Sequence, residues 1–251
     1  MVDANVKGRC VELAGSSLYY QRYGSGPVVW LLFHGFGQDH RRFEKFAELL
    51  GDGTSCYAFD LFHHGRSAWT PGHKPITPEV WDQFIRKFLE QENVTRFGVV
   101  GYSIGARFAI ATTELHANMV DRVVLIAPDG ISENAWYRVA TKSAPGRALF
   151  RLTVTQPGIF VMLAMLARSV GVISGGLMAF ARKQMQSPEQ RARVYKSWVS
   201  FRKLSAGPGL FNTMARFVFL WSPSSAGATR DHQRPCWHTR EEVRHRHGCS
   251  A

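Results

Sequence analysis

The sequence predicts an α/β fold: a mostly parallel β-sheet flanked by helices, interrupted by a block of helices before its last strand. Three observations carry this expectation. Short apolar runs alternate with helical periodicity through the first half, the alternation stops near Glu133, and one more short apolar run returns at 217–221. Strands alternating with helices imply a parallel sheet covered on both faces.

The elements follow in order. Residues 18–23 and Val28–Phe33 read as neighbouring strands joined by the turn Gly24-Ser25-Gly26-Pro27. Asp39 is a natural N-cap for a helix near 41–50, with Phe43, Phe46, Leu49 and Leu50 on one face. Residues 55–59 form a third strand. Thr77 and Pro78 supply a cap and a first-turn proline for a helix to about Glu92, with Val80, Phe84, Phe88 and Leu89 inward. Residues 97–100 are an apolar strand, a helix follows from about Ile104 to His116, and 122–127 is another buried strand. Residues 134–216 then read as short helices broken at Pro145-Gly146, Pro157-Gly158, Gly175-Gly176 and Pro188, with a capping-box start at Ser187 completed by Gln190.

Apolar residues make up 45% of the chain and charged residues 20%, which excludes a wholly disordered chain. Cysteines 10, 56, 236 and 249 are too few and scattered for a disulfide framework, so free thiols and a cytoplasmic location are expected. No apolar stretch follows a basic start in the first 25 residues, so no signal peptide is expected. The net charge of +12 suggests a polyanion at first sight. It is concentrated in residues 138–216, where 13 Lys and Arg face the single acid Glu189. No nucleic-acid-binding motif accompanies it, so no specific nucleic-acid partner is expected.

The strongest chemical signal is Gly101-Tyr102-Ser103-Ile104-Gly105, lying between an apolar strand and a helix. That context is what a nucleophile elbow requires, since small residues let strand and helix approach while a strained turn presents the serine hydroxyl. The second signal is His34-Gly35-Phe36-Gly37, directly after a strand. The N–H of Phe36 and the N–H of Ile104 form a candidate pair of oxyanion donors. His34 is expected to shape the loop rather than act as a base.

At these residues the chain resembles the α/β-hydrolase family, as a capped serine hydrolase whose C-terminal part is atypical. Asp60-Leu61-Phe62-His63-His64-Gly65-Arg66-Ser67 resembles that family's D-x-x-G-x-G-x-S loop, and Leu125-Ile126-Ala127-Pro128 resembles the strand end where the cap begins. The resemblance covers residues 9 to about 220 and implies three parts. Residues 1–133 are the N-terminal part of the core, 134–216 a helical cap, and 217–251 a C-terminal core remnant with a disordered tail. It also implies that the loop 60–67 is structural, so neither His63 nor His64 is expected to be catalytic.

The resemblance implies a triad of Ser103, an acid and a histidine. Asp231 is the only aspartate after residue 221, and His238 is taken as the base among His232, His238, His245 and His247. Asp129 is the alternative acid, or else a turn residue in Pro128-Asp129-Gly130. The pattern is departed from here: residues 222–251 contain no Leu, Ile, Met or Phe and cannot bury a strand and helix. The tail is either outside the ancestral reading frame or a divergent, disordered end. Its Cys236, His238, His245, His247 and Cys249 lack compact zinc spacing, so no metal is expected, and no cofactor is implied.

Residues 159–167 form an apolar run, with Arg168 and Gly171 interrupting its continuation, so a greasy cap is expected rather than a membrane span. The expected activity is cleavage of a carboxylic ester or thioester with an apolar acyl group through an acyl-enzyme. The partner is a small-molecule ester or lipid-like substrate, with peripheral membrane contact through the basic cap. The alternative is a catalytically inactive hydrolase-like protein lacking a complete triad.

Overall fold

A computed structural model describes residues 8–130, 135–156, 158–159, 162, 165, 186–205 and 218–221. Its centre is a seven-stranded sheet: β1 (Arg9–Leu13), β2 (Ser16–Tyr23), β3 (Val28–Phe33), β4 (Thr54–Phe59), β5 (Phe97–Tyr102), β6 (Val120–Ile126) and β7 (Val218–Trp221). The spatial order is β1-β2-β4-β3-β5-β6-β7. β1 and β2 pair antiparallel, and β2 pairs antiparallel with β4; every pairing from β4 to β7 is parallel. The sequence-predicted strands are all present within a few residues. The addition is β1, whose polar residues at alternate positions (burial runs exposed, exposed, buried, exposed, intermediate) give it no apolar run to read.

Alternating side chains divide the strands between two cores. Leu31 and Phe33 of β3, Tyr57 and Phe59 of β4, and Val99 of β5 join α2 (Pro78–Glu92) and α3 (Gly105–Leu115) on one face. Trp30 and Leu32, Cys56 and Ala58, and Val100 meet Phe43 and Ala47 on the other. The helix expected at 41–50 is split into a 3-10 turn, His40–Phe43, and α1 (Glu44–Leu50); the Asp39 carboxylate accepts from the Arg41 N–H as the cap. The inward face runs through Phe43, Phe46, Ala47 and Leu50, at i, i+3, i+4 and i+7, so the expectation for Leu49 is corrected: it lies outside that face and is 87% exposed.

Thr77 caps α2 and Pro78 opens it as predicted, and the helix stops at Asn93 in the left-handed conformation (φ 53°). Between β6 and β7 the chain runs through α4 (Ala135–Lys142), α5 (Ala144–Thr155) and α6 (Pro188–Ser200), the last opened by the reciprocal Ser187–Gln190 capping box. Pro145 and Gly146 lie in the first turn of α5, behind the Ser143 cap, so this pair opens a helix rather than only ending one. Most of 157–185 and all of 222–251 lie outside the described residues, including the long apolar run and both halves of the tail reading. No helix of the described residues is long and apolar enough to cross a membrane.

The segment after α6 returns to the core. Phe201 packs edge-on against Phe108 of α3 at 4.7 Å, and Phe108 packs in turn on Trp81 at 4.8 Å. Phe108→Ala is expected to lower stability by about 3–5 kcal/mol, as a large buried ring leaves a cavity at the centre of this stack. Leu49→Ala on the exposed side of α1 is expected to change it by no more than about 0.5 kcal/mol. Urea unfolding followed by tryptophan fluorescence measures both.

Candidate functional site at the strand–helix turn

Ser103 sits between β5 and α3 with φ 52°, a left-handed conformation that a serine adopts only under constraint. The constraint is visible on both sides of the residue. Its N–H donates to the Ile126 carbonyl at 2.9 Å, and its own carbonyl accepts from the N–H groups of Asp129 and Ala106, each at 3.0 Å. The glycines of the motif provide close approach. A Cβ on Gly101 would stand 2.7 Å from Ala106 Cα, and one on Gly105 would run into the carbonyl oxygens of Phe33 and His34. Strand, turn and helix therefore pass each other at distances only hydrogen side chains allow.

The loop after β3 faces this turn from the neighbouring strand. The Gly35 N–H is taken by the Gln38 side chain at 3.1 Å, the Gln38 N–H returns to the Gly35 carbonyl at 3.2 Å, and Gly37 turns with φ 74°. Among the described residues no acceptor takes the N–H of Phe36 or of Ile104, which leaves two main-chain donors available beside a partly exposed serine. The Ser103 hydroxyl likewise has no imidazole bonded to it among the described residues.

Three histidines lie near this region, and their partners give them other tasks. His34 is fully buried; its Nδ1 faces the Gly35 carbonyl at 2.7 Å and therefore carries the proton, while Nε2 accepts from the Leu61 N–H at 3.0 Å. With both nitrogens used it braces one loop against the next, and burial pushes its pKa down to about 4. His64 donates from Nδ1 to the Phe62 carbonyl at 3.0 Å and packs edge-on against Phe36 at 5.2 Å. Among the described residues its buried Nε2 has no hydrogen-bond partner, and burial lowers its pKa to about 3. His63 pairs through Nε2 with the Ser200 hydroxyl at 3.1 Å and stacks on Phe201; burial, followed by the nearby Lys196 charge, lowers it to about 4.

Asp60 anchors the loop that carries these rings. Burial opposes its charge most strongly, yet the His40 side chain at 2.9 Å, the Arg66 N–H at 2.8 Å and the His40 N–H at 2.7 Å outweigh that opposition, and the carboxyl is held below its ordinary range. Ser67 closes the loop by donating to the Asp60 carbonyl at 2.6 Å and accepting the Tyr19 N–H at 2.7 Å.

Asp129 is brought to the site, but its carboxylate is already engaged. Arg107, on the first turns of α3 and only 1% exposed, holds both of its oxygens, Nε at 3.0 Å and Nη2 at 3.1 Å. The same guanidinium donates to the Leu204 carbonyl at 3.3 Å and lies 4.6 Å above the Tyr137 ring. Arg107 was missed in the sequence reading; the available signal was a lone cation at the start of an otherwise apolar helix. Asp231 and His238 lie outside the described residues. Among the described residues no group of His, Cys, Asp or Glu is arranged to hold a metal ion.

The model of the alpha/beta hydrolase family matches residues 30–248 of this chain. An uncharacterised protein of Mycobacterium tuberculosis is 26% identical over 157 residues, covering 61% of this chain and 45% of its own. A 2-succinyl-6-hydroxy-2,4-cyclohexadiene-1-carboxylate synthase of Escherichia coli is 34% identical over 95 residues, 37% of this chain and 35% of its own. The chain thus spans less than half the length of these curated relatives. Among solved structures, a carboxylesterase of Nitrososphaera gargenis superposes with a TM-score of 0.58 at 16% identity, over 85% of this chain and 79% of its own. An epoxide hydrolase, CorEH, superposes with a TM-score of 0.52 at 13% identity, over 86% of this chain and 81% of its own. At such identities these two show the shared fold alone.

Two outcomes follow from the geometry. Gly105→Ala is expected to destabilise by about 1–3 kcal/mol, because the added methyl must displace main chain rather than a side-chain tip; thermal unfolding measures it. His63 is held neutral, so between the unfolded value of about 6.5 and its folded value the unfolded chain binds the extra proton. Its contribution is therefore complete above about pH 6.5 and is lost as the pH falls towards 4. His63→Gln is expected to flatten the fall in unfolding free energy below pH 6.5 by up to about 1.4 kcal/mol per pH unit, measured in urea series at several pH values.

Proposed function

The chain belongs to the alpha/beta hydrolase family, and from that premise we propose that it is a serine hydrolase cleaving a carboxylic ester or thioester with an apolar acyl group. In this reading Ser103 Oγ attacks the carbonyl carbon while its proton passes to the imidazole of His238, oriented by Asp231. The N–H groups of Phe36 and Ile104 hold the oxyanion of the tetrahedral intermediate. Collapse expels the alcohol or thiol, which takes the proton from the imidazolium, and water then releases the acid from the acyl-enzyme. The single observation that carries the proposal is the left-handed Ser103 turn (φ 52°) with the N–H of Ile104 open beside it. The family match runs on to residue 248 and so spans both Asp231 and His238, which supports seeking the remaining triad members there.

A serine at the turn favours ester or thioester cleavage over epoxide opening, in which family members attack with a carboxylate. Residues 134–216 act in this proposal as a cap that roofs the acyl pocket, and its basic face leans on anionic lipid while a lipid-like ester is delivered. The second reading, a hydrolase-like protein without activity, is favoured by one observation: His34, His63 and His64 bond to the Leu61 N–H, the Ser200 hydroxyl and the Phe62 carbonyl, and among the described residues no imidazole is bonded to the Ser103 hydroxyl.

A fluorophosphonate probe separates the two. Labelling of the purified chain that vanishes in Ser103→Ala, with a loss of about 10³-fold or more in kcat/KM on p-nitrophenyl acyl esters, supports the hydrolase. An unlabelled wild-type chain supports the inactive reading, since a serine without a base stays protonated.

A further inference from the structure

Asp129 lies beside the Ser103 turn, and its main chain and side chain do different things there. Its N–H donates to the Ser103 carbonyl at 3.0 Å. Its carboxylate accepts Nε and Nη2 of Arg107, at 3.0 and 3.1 Å. The aspartate side chain is short, so a carboxylate held at both oxygens also restrains the N–H behind it.

Arg107 is placed to supply that hold. It lies one helical turn after Ser103, and its main-chain N–H donates to the Ile104 carbonyl at 3.2 Å. Its side chain is buried, with Nη1 donating to the Leu204 carbonyl at 3.3 Å and the Tyr137 ring 4.6 Å from the guanidinium carbon. Gly130, with φ 97°, lies against the Arg107 stem, since a Cβ there would stand 2.7 Å from Cγ. Donors aimed at two acceptors and a ring on one face fix the plane of the guanidinium. An ammonium has no such plane to fix.

Loosening this hold has a defined consequence. Ser103 sits at φ 52°, where only outside restraint keeps it. If the Asp129 N–H drifts from the Ser103 carbonyl, the turn relaxes and the hydroxyl swings with it. Misplacing a reacting group by about 1 Å can cost about a hundredfold in rate.

We propose that Arg107 is a positioning residue for Ser103 that acts through Asp129. The bidentate pair holds the Asp129 N–H against the Ser103 carbonyl and so keeps the hydroxyl presented. Asp129 then serves the turn and not the triad. The kinetic consequence deepens the serine hydrolase reading and rests on it, whereas the hold on the turn is measurable without activity.

The test uses the full chain. Asp129→Asn keeps the main-chain N–H and the side-chain size but turns one oxygen into a donor facing the guanidinium. On p-nitrophenyl acyl esters kcat is expected to fall about tenfold with KM changed by less than about twofold and the pH profile unmoved. Fluorophosphonate labelling of Ser103 is expected to slow by the same factor. Arg107→Met combined with Asp129→Asn removes the buried charge along with its partner, and is expected to lose no more than Asp129→Asn alone, because both act through one link. Hydrogen exchange of the Ser103 and Asp129 amides, read by NMR, is expected to quicken about tenfold or more in both variants while the β3 amides hold. The proposal is overturned if Asp129→Asn, folded by circular dichroism, leaves those two amides or the labelling rate unchanged. A fall of about 10⁴-fold in kcat with a shifted pH profile would make Asp129 the triad acid and also overturns it. A wild-type chain that takes no label defeats the hydrolase reading alone, and amide exchange then decides the positioning.

Discussion

The end of β6 holds the turn at Ser103, and the arrangement around it depends on that grip. A non-glycine residue in the left-handed region costs roughly 1–2 kcal/mol and persists only where neighbours over-determine it. Here the neighbours are the Ile126 carbonyl on one side and the Asp129 N–H on the other. The serine is therefore fixed through its main chain, and among the described residues its hydroxyl has no hydrogen-bond partner. Gly101 and Gly105 bring α3 close enough to β5 and β3 for that grip to operate.

A second constraint joins the sheet to the helices that follow it. Arg107 is buried in α3, and a buried guanidinium is tolerated only when its charge and its donors are met. Asp129 meets the charge, the Leu204 carbonyl takes one donor, and Tyr137 offers its ring face. These partners come from the loop after β6, from α4, and from the segment after α6. One side chain of α3 thereby ties together the start of α4 and the segment after α6. The residue that clamps Ser103 through its N–H is also the residue whose carboxylate is clamped by Arg107, so the turn and the junction share a part.

Much of the fold was legible because its strands are short, continuously apolar and set off by recognisable caps. Val28–Phe33 and the cap–proline pair at Thr77 and Pro78 stand where local chemistry places them. β1 was not legible, since an antiparallel edge strand exposed along much of its length carries little hydrophobic signal. Leu49 misled for a different reason: its apolar side chain suggested burial, whereas the face set by Phe43, Phe46, Ala47 and Leu50 at helical spacing leaves position 49 outside it. At the site, the Ser103 motif and the His34–Gly37 loop announced themselves through glycines. The roles of His63, His64 and Arg107 did not, because each is defined by a partner distant in sequence: Ser200, Phe36 and Leu204.

The span between Arg107 and Leu204 also bears on how the chain is made. The two lie 97 positions apart, so on a ribosome α3 emerges well before the carbonyl that completes its guanidinium. Before then the partners that reach it are Asp129, from the loop after β6, and the aromatic face of Tyr137. The parallel pairing of β7 with β6 must wait still longer, leaving that flank of the sheet open during synthesis. The first half can thus assemble early with its serine turn in place, while closure of the sheet is the late and slow event.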